Sequence, residues 1–294
     1  MVEISPKLAV VLSFVFSIVS NAIFATGAIG GRNIGKVSDE NPTYVTPDGM
    51  TFSIWGVIYL LEAILVYSQY RANDRAEQLL AETDIVLGLE VRPQLVIVFM
   101  ANAMWLPIFV FAWFKTAFII IVVMLAYLAS VYMALNPSTM NTPLEWLTLA
   151  AGIACNTSWV VVAACLNLFV AAGEDGWKDF DGPYGVSGTP VAAAFAVLLI
   201  SVLGSVMVWL YNDFAWSLVA SWAIWGIYRM QTTTDQAIIP DKGLSPLIAE
   251  AAKWCNVLLL VVSAAAVVLF ARKKYVERQD RMALASYEAA PLKP

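Results

Sequence analysis

The feature that most constrains this chain is its series of apolar runs, each about 20 residues long. At 1.5 Å per residue, a helical run of that length crosses a hydrocarbon core of ~30 Å. Lipid cannot satisfy backbone N–H and C=O groups, so a run exposed to it must close its hydrogen bonds internally as a helix. Eight such runs are predicted, over residues 8–29, 51–70, 93–113, 115–135, 146–172, 190–210, 214–230 and 248–271. The fold class is therefore an all-α polytopic membrane protein. Composition agrees: 60% of residues are hydrophobic and 13% charged, against about half and a quarter in soluble domains.

The first run lacks the short apolar core and A-x-A site of a cleaved signal peptide and is read as a retained span. Tight turns join the third and fourth spans near Phe114-Lys115, and the sixth and seventh near Tyr211-Asn212-Asp213. The Gly/Pro-rich stretch 30–50 is expected to form a structured loop at the bundle mouth. Residues 71–92 place Leu79, Leu80, Ile85, Val86 and Leu89 among charges, which suits a short interfacial helix. Residues 173–189 are acidic and Gly-rich, as in a solvated loop. The charged tail, 273–294, is expected to extend the eighth helix and fray toward Pro294.

With eight spans, both termini share one side. That side carries ten Lys and Arg (Lys7, Arg71, Arg75, Arg92 and six from Arg272 onward), and the other carries seven. The excess places both termini on the cytoplasm-equivalent face; the sequence leaves the compartment open, organelle or plasma membrane.

Other residue counts narrow the chemistry. The net charge is −5 with no basic tract, which argues against a nucleic-acid partner. Histidine is absent, which removes imidazole as a base or as a metal or haem ligand. Cys155, Cys165 and Cys255 lie in apolar runs without CxxC spacing and read as small core residues. No nucleophile, metal set or acid–base pair assembles, so the chain reads as a non-enzyme with no catalytic or metal residues.

Three spans carry polar and aromatic residues at helical spacing. The second has Trp55, Tyr59 and Glu62; the third has Asn102, Trp105 and Phe109, with Pro107 inside; the fifth has Trp159, Ala163 and Asn167, with Asn156 one turn before. Each set falls on one helix face. Lipid cannot bond an amide or indole N–H, so these faces should turn inward and wall a small-molecule cavity. Plainer roles stand beside this one. Asn102 and Asn167 could serve only to join helices, and tryptophans also mark the membrane interface, most plainly Trp146, Trp177 and Trp209. A carboxyl at membrane depth costs roughly 2.5–3.5 kcal/mol on insertion scales, which makes Glu62 a candidate for ligand or proton chemistry; its plain role is a helix-bonding carboxyl. The run Ile54-Trp55-Gly56-Val57-Ile58-Tyr59 returns loosely as Ile224-Trp225-Gly226-Ile227-Tyr228. No matching register surrounds it, and it reads as coincidence rather than a transporter repeat.

These motifs resemble the TspO/MBR family, the translocator or tryptophan-rich sensory proteins, and more closely its longer relatives with extra transmembrane helices. The family's Trp-x-x-x-Tyr after a proline-rich loop is matched by Pro47, Trp55 and Tyr59. Its Asn-x-x-Trp-Ser-Pro-x-Phe is matched by Asn102, Trp105, Leu106, Pro107 and Phe109, with Leu for Ser. Its Trp-x-x-x-Ala-x-x-x-Asn is matched by Trp159, Ala163 and Asn167. The likeness covers about residues 5–172. Departures include Phe52 three rather than four residues before Trp55, Thr46 for the first of two prolines, Cys155 and Asn156 for a Pro-Tyr pair, and Glu62 for a small or apolar residue. The fifth helix ends in LNLFVAAGEDGW, without the Tyr and Arg or Lys of the sterol motif, so cholesterol binding is not implied.

The resemblance implies a TspO-like five-helix region over 1–172, a loop over 173–189, three added helices over 190–272 and a charged tail. It also implies a pocket under the first loop that takes tetrapyrroles or other apolar ligands, in transport, sensing or stress response. Without histidine, a non-covalent tetrapyrrole would be held by stacking, not axial ligation. Two other functions remain open. One is a structural or accessory subunit of a larger membrane complex, suggested by the three extra spans and by small-residue faces at Ser217 and Ser221 and at Ser263 through Ala266. The other is a proton-coupled secondary transporter using Glu62. The assembly is left open between a homodimer and a larger membrane complex, and a monodisperse, ligand-binding homodimer would count against the accessory-subunit role.

Overall fold

A computed structural model describes residues 4–83, 87–179, 185–232 and 245–288. Ile85 and Val86 of the expected interfacial helix, residues 180–184 and the end of the tail, 289–294, lie outside the described residues.

Local sequence sets the helix ends. Helix α1 (Pro6–Ala25) starts at Ser5, whose hydroxyl accepts the Leu8 N–H, with Pro6 in the first turn. The first loop holds a short helix α2 (Ile34–Glu40), capped by Asn33, and a 3₁₀ turn (Gly49–Ser53) capped by Asp48. That turn leads into α3 (Ile54–Ser68). Helix α4 (Asp74–Leu80) is the interfacial piece, with Ala76 and Leu80 buried one turn apart. It is pinned where Glu77 meets both Lys7 and Arg92. Helix α5 (Val91–Val110) and α6 (Phe114–Ala134) follow. The fifth crossing comprises one turn, α7 (Pro143–Glu145), a π-turn at Trp146–Ala150 and α8 (Ala151–Glu174).

Helices α1, α5, α6, α8 and α3 pack in that order into a closed five-helix ring, with α3 returning to α1. Segment 173–189 departs from a plain solvated loop. Its ends pair as a two-stranded hairpin, β1 (Lys178–Asp179) with β2 (Val186–Ser187), and β2 is buried. Ser187 donates its N–H to Pro42 O and bridges Thr43, so this segment joins the first loop.

The C-terminal helices are α9 (Pro190–Tyr211), α10 (Phe214–Thr232) and α11 (Pro246–Glu288). They pack on one another, and α10 docks on α8. Asn212 ends α9 in the left-handed conformation, with φ of 53°. Asp213 Oδ1 accepts the Trp216 N–H at 2.9 Å to start α10, and Asp213 Oδ2 accepts the Tyr132 O–H at 2.8 Å. Burial pushes the Asp213 carboxyl above the usual carboxylate range, against those bonds.

Seven helices are long and apolar enough to cross a membrane, among the described residues. The expected eighth, α10, forms over 19 residues but is less apolar. It crosses back all the same: α9 begins beside the first loop, and α10 returns to it, with Asp48 N–H bonded to Gly226 O. Enclosed by α8, α9 and α11, α10 faces protein more than lipid, which relaxes the demand for apolar side chains. The last helix also runs farther than its apolar part. At 43 residues it is about 64 Å long, so its charged end projects beyond the membrane.

Candidate functional site

Helix α8 is the hub of the bundle. Four-fifths of its apolar stretch is buried, and it touches α3, α6, α9 and α10. Its lid-side half meets α3 and α5 in an aromatic cluster. Trp55 stacks on Tyr59, with ring centroids 5.4 Å apart and planes at 25°. It meets Trp159 edge-on at 6.2 Å and Trp105 at 6.4 Å. Phe52 sets its edge against Trp159 at 5.8 Å, and Trp105 lies 5.6 Å from Phe109. Such offset and edge-on pairs add ~0.5–1.5 kcal/mol each beyond area burial.

A cavity of about 20 Å³ lies between these rings. Of the residues singled out by spacing, Trp55, Trp105, Phe109, Trp159, Ala163 and Asn167 line it, and Phe52, Val162 and Leu166 complete the walls. Ile34, Ser38 and Pro47 cover it from the first loop. Asn167 is tied down on both sides: it accepts the Trp105 indole N–H at 3.1 Å and donates to Ala163 O at 2.8 Å. The Trp159 indole N–H is buried and has no partner among the described residues. An unmade buried bond of that kind costs about 1–3 kcal/mol.

Tyr59, Glu62 and Asn102 do not line the cavity; they form a polar layer beneath it. The Asn21 amide of α1 donates to Asn102 Oδ1 at 2.7 Å. The Asn156 amide of α8 donates to Glu62 Oε1 at 2.6 Å. Both Glu62 and Asn156 are fully buried, and Asn156 Oδ1 has no partner among the described residues. Gly152, one turn before Asn156, makes this contact close: a Cβ there would sit 3.0 Å from the Glu62 backbone nitrogen. Sequence spacing missed Asn21, although Phe14 and Phe24 stand at helical spacing from it on α1 and were a usable signal. It also missed the wall role of Phe52, although its place one turn before Trp55 was a usable signal.

An α-helical, multi-pass membrane protein with an aromatic cavity roofed by its first loop is the class these features define. The chain belongs to the TSPO-like protein family, whose family model matches residues 7–266. That match continues past α8 through α9, α10 and the start of α11, so the family likeness is not confined to the five-helix ring. No curated protein and no solved structure matches the chain.

Proposed function

We propose that the protein binds an apolar, largely flat small molecule in the cleft between α3, α5 and α8, without catalysing a reaction on it. The observation that carries this reading is Trp159. It is a cavity-wall residue with a buried indole N–H that no group among the described residues satisfies, and Ser38 and Asn167 are the polar residues in walls that are otherwise apolar. A ligand bearing one hydrogen-bond acceptor would fill the cleft and satisfy that donor. Asn167, already bonded to Trp105 and Ala163, acts by holding the Trp105 ring in place rather than by meeting the ligand.

At about 20 Å³ the cavity has room for about one water, far below the ~300–1,000 Å³ of ligand pockets. A tetrapyrrole therefore does not fit the closed arrangement, and binding requires the covering loop and the Trp55 and Phe52 rings to move. Protoporphyrin IX is a suitable probe of the site. It should quench tryptophan fluorescence saturably, and Trp55→Leu with Trp159→Leu should weaken the titration at least ten-fold in folded protein. Identical titrations would sink the reading.

The Glu62–Asn156 pair favours a second reading, a proton-linked role beneath the cleft. The unpartnered Asn156 Oδ1 would gain a donor if Glu62 carried a proton, so protonation would change the bonding between α3 and α8. Uptake or binding that follows a proton gradient, and loses that dependence in Glu62→Gln, would support it. Gradient dependence that persists in Glu62→Gln would remove it.

A further inference from the structure

The loop that covers the cleft is fastened from outside the five-helix ring. Residues 48–51 lie between two cavity-wall residues, Pro47 and Phe52. Helix α10 grips that strip at three points. The Asp48 N–H donates to Gly226 O at 3.1 Å. The Trp222 indole N–H donates to Thr51 O at 2.9 Å. The Arg229 guanidinium pairs with Asp48 Oδ2 at 2.9 Å and lies over the Trp225 ring at 4.9 Å.

The fit of these parts is specific. Asp48 is buried while the Arg229 side chain is about one-third exposed, so the pair is screened less than one lying wholly at the surface. Thr51 donates its hydroxyl to the other Asp48 oxygen, which orients the carboxylate toward Arg229. Gly226 is needed for the approach: a Cβ there would stand 2.1 Å from Thr51 Oγ1 and 2.9 Å from Thr51 Cβ. Farther along α10, Gln231 donates to Tyr44 O at 3.4 Å and accepts the Ser245 N–H at 2.8 Å, which ties the same loop to the start of α11.

We infer that α10 is a latch on the cleft, with Gly226 and Arg229 as residues that position the covering loop and set how fast a ligand enters and leaves. The fastening itself stands on the contacts above; its effect on ligand traffic rests on the binding function proposed for the cleft. The latch assigns the C-terminal helices a task of their own, since among the described residues the cation paired with Asp48 comes from α10 and not from a ring helix.

The test uses the full-length protein in detergent micelles, as wild type, Arg229→Gln and Gly226→Ala. Amide hydrogen exchange at residues 48–51 should rise at least ten-fold in both variants, while exchange at residues 150–156, deep in α8, stays at the wild-type rate. Unchanged exchange at 48–51 in folded Arg229→Gln would overturn the latch, as would a uniform rise along the chain. If Gly226→Ala fails to fold, Arg229→Gln decides alone. Stopped-flow quenching by protoporphyrin IX then reads the gate: association and dissociation rates should both rise about five-fold or more, with little change in affinity. Wild-type rates in a variant with faster loop exchange would overturn gating. Absence of quenching in the wild type would instead remove the binding function and leave the exchange result to judge the fastening.

Discussion

Deep in the bundle, Gly152 lets the backbones of α3 and α8 touch, and Asn156 bonds Glu62 across the contact. Toward the covering loop the same two helices are held apart by Trp55 and Trp159, with a small cavity and an unspent N–H between them. The difference lies in what each contact can tolerate. Backbone pressed on backbone has no freedom to give, because close-packed interiors respond to one added methyl group. Aromatic rings meeting at their edges can turn about two torsions and open a slot. On the proposed binding function, the deep contact would serve as a fixed hinge and the aromatic half as the part that opens.

The most severe way to break this contrast is Gly152→Val. Its branched side chain would push on the Leu61 and Glu62 backbone, costing about 3 kcal/mol. Thermal unfolding in detergent should show the loss, and a midpoint like that of the wild type would mean the deep contact is not rigid. Asn156→Leu comes next, at about 1–3 kcal/mol, since it strips the buried Glu62 carboxyl of its donor. Glu62→Gln keeps an acceptor for the Asn156 amide and should cost less than about 1 kcal/mol in the same melts. If both variants melt alike, the pair does not join the helices.

In the aromatic half, Trp159→Phe keeps a ring at the wall but removes the unpartnered N–H together with part of the indole's bulk. The relief of one unmet bond and the loss of packing oppose each other, so stability should stay within about 1 kcal/mol of wild type. Affinity for an acceptor-bearing ligand should fall about five-fold, equivalent to about 1 kcal/mol, in a quenching titration. The smallest effect lies outside both halves, at Glu77. Its hydrogen bond from Lys7, then its contact with Arg92, holds the carboxyl below the ordinary glutamate range. A carboxylate held low lends stability that is present above its unfolded value and lost as pH falls through the folded one. Acidification below about pH 4 should thus loosen α4 from α1 and α5. The pair is exposed, so the midpoint should shift only slightly, and a Glu77→Gln variant should lose that part of the pH dependence.

The sequence shows the cleft walls more plainly than their support. Trp55, Trp105, Phe109, Trp159, Ala163 and Asn167 are found by spacing because one helix face repeats every three to four residues, a property local to each span. The same rule places Tyr59, Glu62 and Asn102 beside them but cannot say that they lie one layer deeper, since depth depends on how far each helix slides against its neighbour. The latch is less legible still. Gly226 and Arg229 meet Asp48 across nearly 180 residues of chain, and a glycine needed for close approach looks like any other glycine in an apolar helix. Similarly, α10 reads as an apolar span, yet its enclosure by α8, α9 and α11 can be seen only once the helices are assembled.

For the proposed ligand to bind, the aromatic half must open while the rest of the core stays shut. Two buried tryptophans make the comparison direct, because Trp159 and Trp216 are each at most 2% exposed and each has an indole N–H without a partner among the described residues, yet of the two only Trp159 borders the cavity. The measurement is ¹⁹F NMR of protein carrying 5-fluorotryptophan, with resonances assigned by single Trp→Phe variants, before and after adding protoporphyrin IX. The expected result is that the Trp55, Trp105 and Trp159 resonances move and Trp216 does not. Movement of Trp216 as large as that of Trp159, or no movement at any of the three cavity tryptophans, would contradict the account.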